Sequence, residues 1–388
     1  MTINELLYDF IEIYGKSIWT YSTYSLNLRH YRTYIKPYIG EEQIEKVTTK
    51  FIEEFYVKLL DVPSPSQLRE NCSPNTIKLI HKLLNSAFKR ALIWKLIKEN
   101  PVENAIRPKE QLKPRDIWTI DVLKEANELC MDQNLKLAMN IAFSSTLRLG
   151  EILALEWDRV YLNTNRPYLY VDRILQRVEM EAYYELNGRD VYKIFSQKTK
   201  NSKSILVMKK PKTESSVRKV YIPNTLVGML REHYGILGNY KKSNVNFEDN
   251  NLVFCSRTGT PIEPRRISKL FQMFIQENNL PKVCFHSLRH TSVTYKLKLT
   301  NGNLKAVQGD SGHATIKMIT DVYSHIIDED RVNNADLIEE SFYNNNKNAK
   351  INLKENSNES LANLEKLLAT ESGKRLLEAI NGVLKDVK

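Results

Sequence analysis

Four short segments in the second half of the chain carry residue types that could do chemistry together. They are Ser145-Thr146-Leu147-Arg148-Leu149-Gly150-Glu151, Pro211-Lys212-Thr213-Glu214-Ser215, His286-Ser287-Leu288-Arg289-His290, and Gly312-His313, the last followed ten residues later by Tyr323 and then His325. Arginine offers an anion a planar, permanently charged donor fork. Lysine and histidine can pass protons. A tyrosine hydroxyl can attack once a base or a cationic site helps it ionise. Singly, each has a blander reading. Arg148 could be a salt-bridge partner, His286 and Arg289 a helix-face pair, His313 a capping histidine, and Tyr323 one of twenty structural tyrosines.

The elements that must position them can be read coarsely. Arg148 sits at a turn entering a helix. A helical run from Trp118-Thr119 through Cys130 precedes it, as does a second helix over about Leu135–Ser144. Ile205–Met208 and Val217–Ile222 are β-prone runs flanking the polar stretch from Pro211 to Ser216, which predicts two strands joined by a turn. Lys198 to Lys219 holds eight Lys/Arg and one acid, Glu214. That hairpin could enter a DNA groove or simply be exposed. Mixed strands are expected from Tyr168 to Pro223, and helices from Asn224 to about Tyr343.

The N-terminal part looks helical. Residues 1–60 show helical spacing with many aromatics (Tyr8, Phe10, Tyr14, Tyr21, Tyr24, Tyr31, Tyr34, Tyr38), most of them expected to be core or packing residues. A helix from about Asn75 to Ile97 carries the apolar set Ile77, Ile80, Leu84, Phe88 and Ala91 at three- and four-residue steps; Asn100-Pro101 should close it. Lys78, Lys82 and Lys89 lie on another face, followed by Arg90. Residues 66–115 hold eleven Lys/Arg against four Asp/Glu, whereas residues 1–65 hold seven against nine. A solvated face is the ordinary reading of a charge stripe, but this local excess favours a phosphate-tracking one. At the other end, residues 344–358 hold seven asparagines in fifteen positions. Beyond them Leu361, Leu364, Leu368, Leu377, Ile380 and Leu384 predict an amphipathic helix.

Composition sets outer limits. The 388 residues carry a net charge of +11, which points to a polyanionic partner. No apolar run approaches the ~20 residues of a membrane-spanning helix, and no secretory signal is visible. Cys72, Cys130, Cys255 and Cys284 show no CxxC spacing and read as free thiols of a reducing cytosol. There is no Walker A loop and no clustered metal-ligand spacing, so neither cofactor nor metal is expected.

The order Arg, Lys-Thr in a turn, HxLRH, GH and Tyr resembles the tyrosine recombinase (phage integrase) family over about residues 116–340. The stretch from Ser73-Pro74-Asn75-Thr76-Ile77 to Asn100-Pro101-Val102 resembles that family's core-binding domain. Within the family the likeness is to integrases of conjugative transposons and phages of Gram-positive bacteria. The resemblance implies a mainly α fold with a small antiparallel β-sheet. Its parts would be an all-α SAM-like core-binding domain (1–108), a linker (109–115), a mixed α+β catalytic domain (116–343), and an Asn-rich linker with a C-terminal amphipathic helix (344–388).

It also implies roles. Arg148 and Arg289 would hold the non-bridging oxygens of a phosphodiester, whose transition state gathers charge there. His286 would be base or proton carrier, Lys212 the general acid for the departing oxygen, and His313 a hydrogen-bond donor to the phosphate. Tyr323 would form a 3′-phosphotyrosyl link that keeps the bond energy, without ATP or metal. The implied function is site-specific integration and excision of a mobile element by a cytoplasmic homotetramer on paired double-stranded DNA attachment sites. An excisionase or a host DNA-bending protein is a candidate accessory partner, and no membrane partner is expected.

The sequence departs from the family's pattern at Thr146, where Gly is frequent, and at Ser311, where Leu is frequent. Long integrases often begin with a small arm-type DNA-binding domain, whereas this chain is expected to begin at the core-binding domain. Three rivals remain: a chromosome-dimer resolving recombinase, a relaxing topoisomerase of related chemistry, and a non-catalytic DNA-binding regulator of the same fold.

Overall fold

A computed structural model describes residues 1–65, 70–109, 116–195, 202–300, 302–312, 315–317 and 320. His313, Tyr323, Lys198, Lys200, the Asn-rich stretch and the C-terminal amphipathic run lie outside the described residues. The chain divides into two compact units, 1–316 and 317–388. The first unit holds two lobes.

Its N-terminal lobe is helical throughout. Thr2 opens α1 (Ile3–Asp9) with a reciprocal capping box to Glu5. The helix runs on through a π-helical stretch, Phe10–Gly15, into α2 (Lys16–Ile18). Likewise α3 (Tyr21–His30) passes through Tyr31–Ile35 into α4 (Lys36–Ile39). Pro37 lacks the N–H that an unbroken helix would aim at Thr33, and the wider π turn absorbs that loss. α5 (Thr49–Leu59) and α6 (Pro74–Ile93) complete the bundle, each capped by the preceding Thr48 or Ser73 side chain. Phe10, Ile35, Ile52, Tyr56, Leu84 and Phe88 form its core. Most of the expected aromatics pack here, while Tyr8 is 61% exposed.

α6 ends four residues earlier than expected. Lys95 adopts φ 61° and Leu96 N–H bonds back to Ala91 O, a left-handed stop that acts well before Asn100-Pro101.

The second lobe begins with α7 (Ile120–Leu129), α8 (Gln133–Ser145) and α9 (Leu149–Leu153). Next come β1 (Val160–Tyr161), β2 (Tyr168–Val171), β3 (Ile174–Glu179), α10 (Met180–Glu185), β4 (Val191–Phe195), β5 (Ser204–Lys209) and β6 (Arg218–Tyr221). Helices α11 (Asn224–Ser243), α12 (Pro264–Glu277), α13 (Phe285–Leu299) and α14 (Leu304–Ser311) close the lobe.

The strands form two antiparallel sheets, β1-β2-β6 and β3-β5-β4. The expected hairpin across Pro211–Ser216 is therefore absent among the described residues. β5 pairs with β3 and β4, and β6 pairs with β2. The burial patterns explain the split. From Ile205 to Lys209 every residue of β5 is buried, as suits a central strand, whereas β6 alternates as an edge strand does.

A small apolar cluster joins the lobes: Ile11, Tyr21 and Tyr24 meet Val178, Ala182, Leu186 and Val207. Around it the Arg189 guanidinium donates to the carbonyls of Lys16, Ser17 and Trp19, and the Tyr21 hydroxyl donates to the carbonyl of Arg189. Arg29 pairs with Glu179 at 2.9 Å and Arg32 with Glu181 at 2.6 Å.

Candidate active site

α8 stops because Thr146 turns left-handed (φ 56°), which aims Leu147 into the core and puts Arg148 at the N-cap of α9. Glu151, three residues on, is 1% exposed. Its Oε2 accepts from the Arg148 backbone N–H at 2.9 Å, and its Oε1 accepts from Arg148 Nη1 at 2.8 Å. The Arg148 side chain remains 36% exposed, so the fork is braced on one side and reaches solvent on the other.

Arg218 approaches the same carboxylate from β6, its Nη2 donating to Glu151 Oε2 at 3.1 Å. Burial pushes the Glu151 carboxyl up, but Arg218 and then Arg148 outweigh it and hold the group below the usual carboxylate range. Glu151 is thus an anion between two arginines.

Arg289 projects from the first turns of α13 and is 2% exposed. Its Nη1 donates to the carbonyl of Thr146 and its Nη2 to that of Ser311 at 2.7 Å. Lys296, two turns on, donates to Thr146 Oγ1 at 3.1 Å and pairs with Asp310 at 2.6 Å. One left-handed residue therefore receives two cations of α13, Arg289 and Lys296, and sits two positions before Arg148. His286, one turn before Arg289, is exposed, and its ring meets that of His290 edge-on at 4.8 Å.

Lys212 is exposed, in the bend before a short 3-10 turn, Glu214–Ser216. It borders a cleft of about 380 Å³ that also takes in Trp19, Tyr21, Arg189, Lys209 and Lys210. Nearby Lys209 is buried, and burial lowers its pKa. Gly312 ends α14 at φ 63°, and a Cβ there would stand 3.0 Å from both Ser215 O and Arg218 Nη1. Glycine suits both the left-handed conformation and the close contact there. The Lys212 turn and the segment leading to His313 are packed against each other.

The structure thus brings together the Arg148, Lys212 and Arg289 segments and the residues just before His313. Sequence reasoning missed Glu151, Arg218, Lys296 and Asp310. Two signals were available. Arg148 and Glu151 have capping-box spacing, and alternation in β6 puts Arg218 on the same face as the buried Val220.

On the N-terminal lobe, Lys78, Lys82 and Lys89 are exposed along α6. Lys89 pairs with Glu103 at 3.0 Å. Arg90 is half-buried, its guanidinium 4.5 Å from the Tyr14 ring.

Residues 119–330 match the phage integrase family, and residues 2–109 match the phage integrase SAM-like domain. A tyrosine recombinase XerC-like protein of Caldanaerobacter subterraneus is 26% identical over 324 residues, 81% of this chain and 76% of that one. The ICEBs1 integrase of Bacillus subtilis is 22% identical over 317 residues, 79% of this chain and 74% of that one. Among solved structures, the Tn1549 transposon integrase in complex with transposon right end DNA superposes with a TM-score of 0.64 at 19% identity, covering 83% of this chain and 95% of that chain. A lambda integrase tetramer bound to a Holliday junction gives 0.56 at 18% identity, covering 81% and 75%. With both lobes matched, the chain belongs to the phage integrase family, the tyrosine-type site-specific DNA recombinases.

Proposed function

We propose that this recombinase integrates and excises a mobile element, with Tyr323 as nucleophile. The observation that carries the reading is the single bonded network through Glu151, Arg218 and Thr146. Its bonds run from Arg148 through Glu151, Arg218, Asp310 and Lys296 to Thr146 and Arg289, and support reading these segments as one site. Residues 1–108 would grip one side of the duplex, with Lys78, Lys82, Lys89 and Arg90 toward phosphates, and residues 116–343 would do the chemistry on the other.

In the proposed step, Tyr323 Oη attacks the scissile phosphorus. The P–O5′ bond breaks, and the departing oxygen takes a proton from Lys212. His286 accepts the tyrosine proton, while Arg148, Arg289 and His313 hold the non-bridging oxygens. The product is a 3′-phosphotyrosine and a free 5′ hydroxyl. Attack by the 5′ hydroxyl of a partner strand reverses the step. The bond energy stays in the phosphotyrosine, so the scheme needs neither ATP nor metal.

The integrases named for ICEBs1, for the transposon Tn1549 and for Staphylococcus phage L54a support the mobile-element reading. The lambda integrase tetramer on a Holliday junction supports a homotetramer acting on two attachment sites. A cytoplasmic location and help from an excisionase or host DNA-bending protein belong to the same reading. None of the described helices is long and apolar enough to cross a membrane. The XerC-like relative favours a second reading, resolution of chromosome dimers.

The test of the nucleophile is Tyr323→Phe on a nicked suicide duplex. The wild type should leave a protein–DNA adduct on a denaturing gel; the variant should bind the same DNA and leave none. An adduct in the variant would move the nucleophile to another tyrosine. Recombination between an element's joined ends and a chromosomal site separates the first reading from the second, which pairs two copies of one chromosomal site.

A further inference from the structure

We infer that Arg218 is a positioning residue that sets the Lys212 turn against the Arg148 pair and the end of α14. The inference rests on the reading of Lys212 as proton donor. Arg218 is held in place by its strand, since it pairs with Val171 across β2 and β6. From that fixed base its buried fork donates in three directions. Nη1 goes to Ser216 O at 2.8 Å, Nε to Asp310 O at 2.8 Å and Nη2 to Glu151 Oε2 at 3.1 Å.

Each partner belongs to a different part of the site. Ser216 ends the 3-10 turn after Lys212; its N–H bonds to Thr213 O at 3.0 Å, and its Oγ lies 2.9 Å from Thr213 Oγ1. Asp310 lies in the last turn of α14, two residues before Gly312. Glu151 braces Arg148. Among the described residues the turn has no hairpin partner of its own, because β5 and β6 belong to different sheets. Something other than a strand ladder must then fix where Lys212 stands, and the Arg218–Ser216 bond does so from within the chain. Lysine could not substitute, because a single ammonium on a flexible stem cannot hold three acceptors so spread.

The experiment is single-turnover cleavage of two duplexes, one normal and one with sulfur replacing the bridging 5′ oxygen. Sulfur leaves without a proton, so a fault in proton donation disappears on the second duplex. Arg218→Lys keeps a cation beside Glu151. It should slow the normal duplex about 10- to 100-fold, as a misplaced catalytic group does, and the sulfur duplex less than about 3-fold. In a Lys212→Ala background, Arg218→Lys should add less than about 3-fold, since coupled residues are not additive.

Equal slowing of both duplexes, or full multiplication of the two losses, overturns the inference while leaving Lys212 in its role. Failure of sulfur to rescue Lys212→Ala itself removes the Lys212 reading and the inference with it, a different pattern. Thr213→Val, at an exposed position, guards against misfolding in Arg218→Lys. It loosens the same turn and should slow the normal duplex several-fold while sparing the sulfur one; slowing of both would also overturn the inference.

Discussion

The guanidinium of Arg289 donates to the backbone carbonyl of Thr146, a β-branched residue held at φ 56°. That conformation costs such a side chain about 1–3 kcal/mol, and it aims the carbonyl at α13 while the chain turns toward Arg148. The Thr146 hydroxyl returns part of the cost by accepting from Lys296. Glycine here would relieve the backbone and lose that bond. Thr146→Gly should therefore unfold in urea within about 1 kcal/mol of wild type and still cleave DNA. Thr146→Val keeps the strain and discards the acceptor, so it should lose about 1–2 kcal/mol. The reverse order of stabilities would show that the left-handed turn is not strained.

The two arginines should fail differently. Arg148 is part-exposed and, among the described residues, braced only by Glu151, so Arg148→Lys should leave stability nearly unchanged. Cleavage should fall roughly 100- to 1,000-fold, as for loss of one donor to a charged transition state. Arg289 is buried, with two carbonyls depending on it. Arg289→Lys should lose comparable activity and also about 2–3 kcal/mol of stability. Urea titrations beside suicide-substrate cleavage decide both; an Arg148→Lys variant cleaving at the wild-type rate would make Arg148 a structural residue.

The α6 stripe should respond to salt residue by residue. Removing one phosphate-binding cation lowers the slope of log K against log salt by about 1. Lys78→Glu and Lys82→Glu should each do so. Lys89→Glu should do less, because Glu103 already competes for that ammonium. Arg90→Ala should weaken packing under Tyr14 more than the salt slope. Unchanged slopes for all four would turn this face away from DNA.

Local signals in the sequence predicted most elements. Thr119 and Cys130 bracket α7, and the Ile77–Ala91 spacing marks α6, because caps and helical periodicity act over a few residues. What was hidden depended on distant partners. Nothing within Ile205–Met208 says that its mates are β3 and β4 and not Val217–Ile222. The left-handed Lys95 ended α6 without the glycine that would announce it. The arginines and Lys212 were legible as types in order. Their bracing was not, because Glu151 meets Arg218 across 67 residues of chain.

The N-terminal lobe should weaken in acid. Burial, with Arg29 adding to it, pushes His30 down to about 4, and neither ring nitrogen has a hydrogen-bond partner among the described residues. Burial and Arg107 likewise push His81 down to about 4, beside the Tyr56 hydroxyl at 3.0 Å. Both lie below the ordinary 6.5, so the unfolded chain binds the protons more readily. Stability is then complete above pH 6.5 and is lost as pH falls toward 4, at up to about 1.4 kcal/mol per pH unit for His30 and less for the half-exposed His81, where solvent screens the charge. His30→Phe should flatten that slope in urea titrations at pH 7, 6 and 5, read by hydrogen exchange in Tyr21–His30. An unaltered slope would place the acid sensitivity elsewhere.

The contact between the lobes should be held by apolar burial more than by charge. Arg29–Glu179 and Arg32–Glu181 are exposed pairs, each worth at most about 1 kcal/mol and screened by salt. Leu186 is 4% exposed between Ile11, Tyr21 and Tyr24, and burying such a side chain contributes about 1.5–3 kcal/mol. Leu186→Asp should therefore part the lobes. It should raise the radius of gyration in X-ray scattering and speed protease cutting in residues 109–115. Glu179→Ala with Glu181→Ala should leave both nearly as in wild type. If the charge variants open the molecule and Leu186→Asp does not, ion pairing holds the lobes, and salt alone should release them.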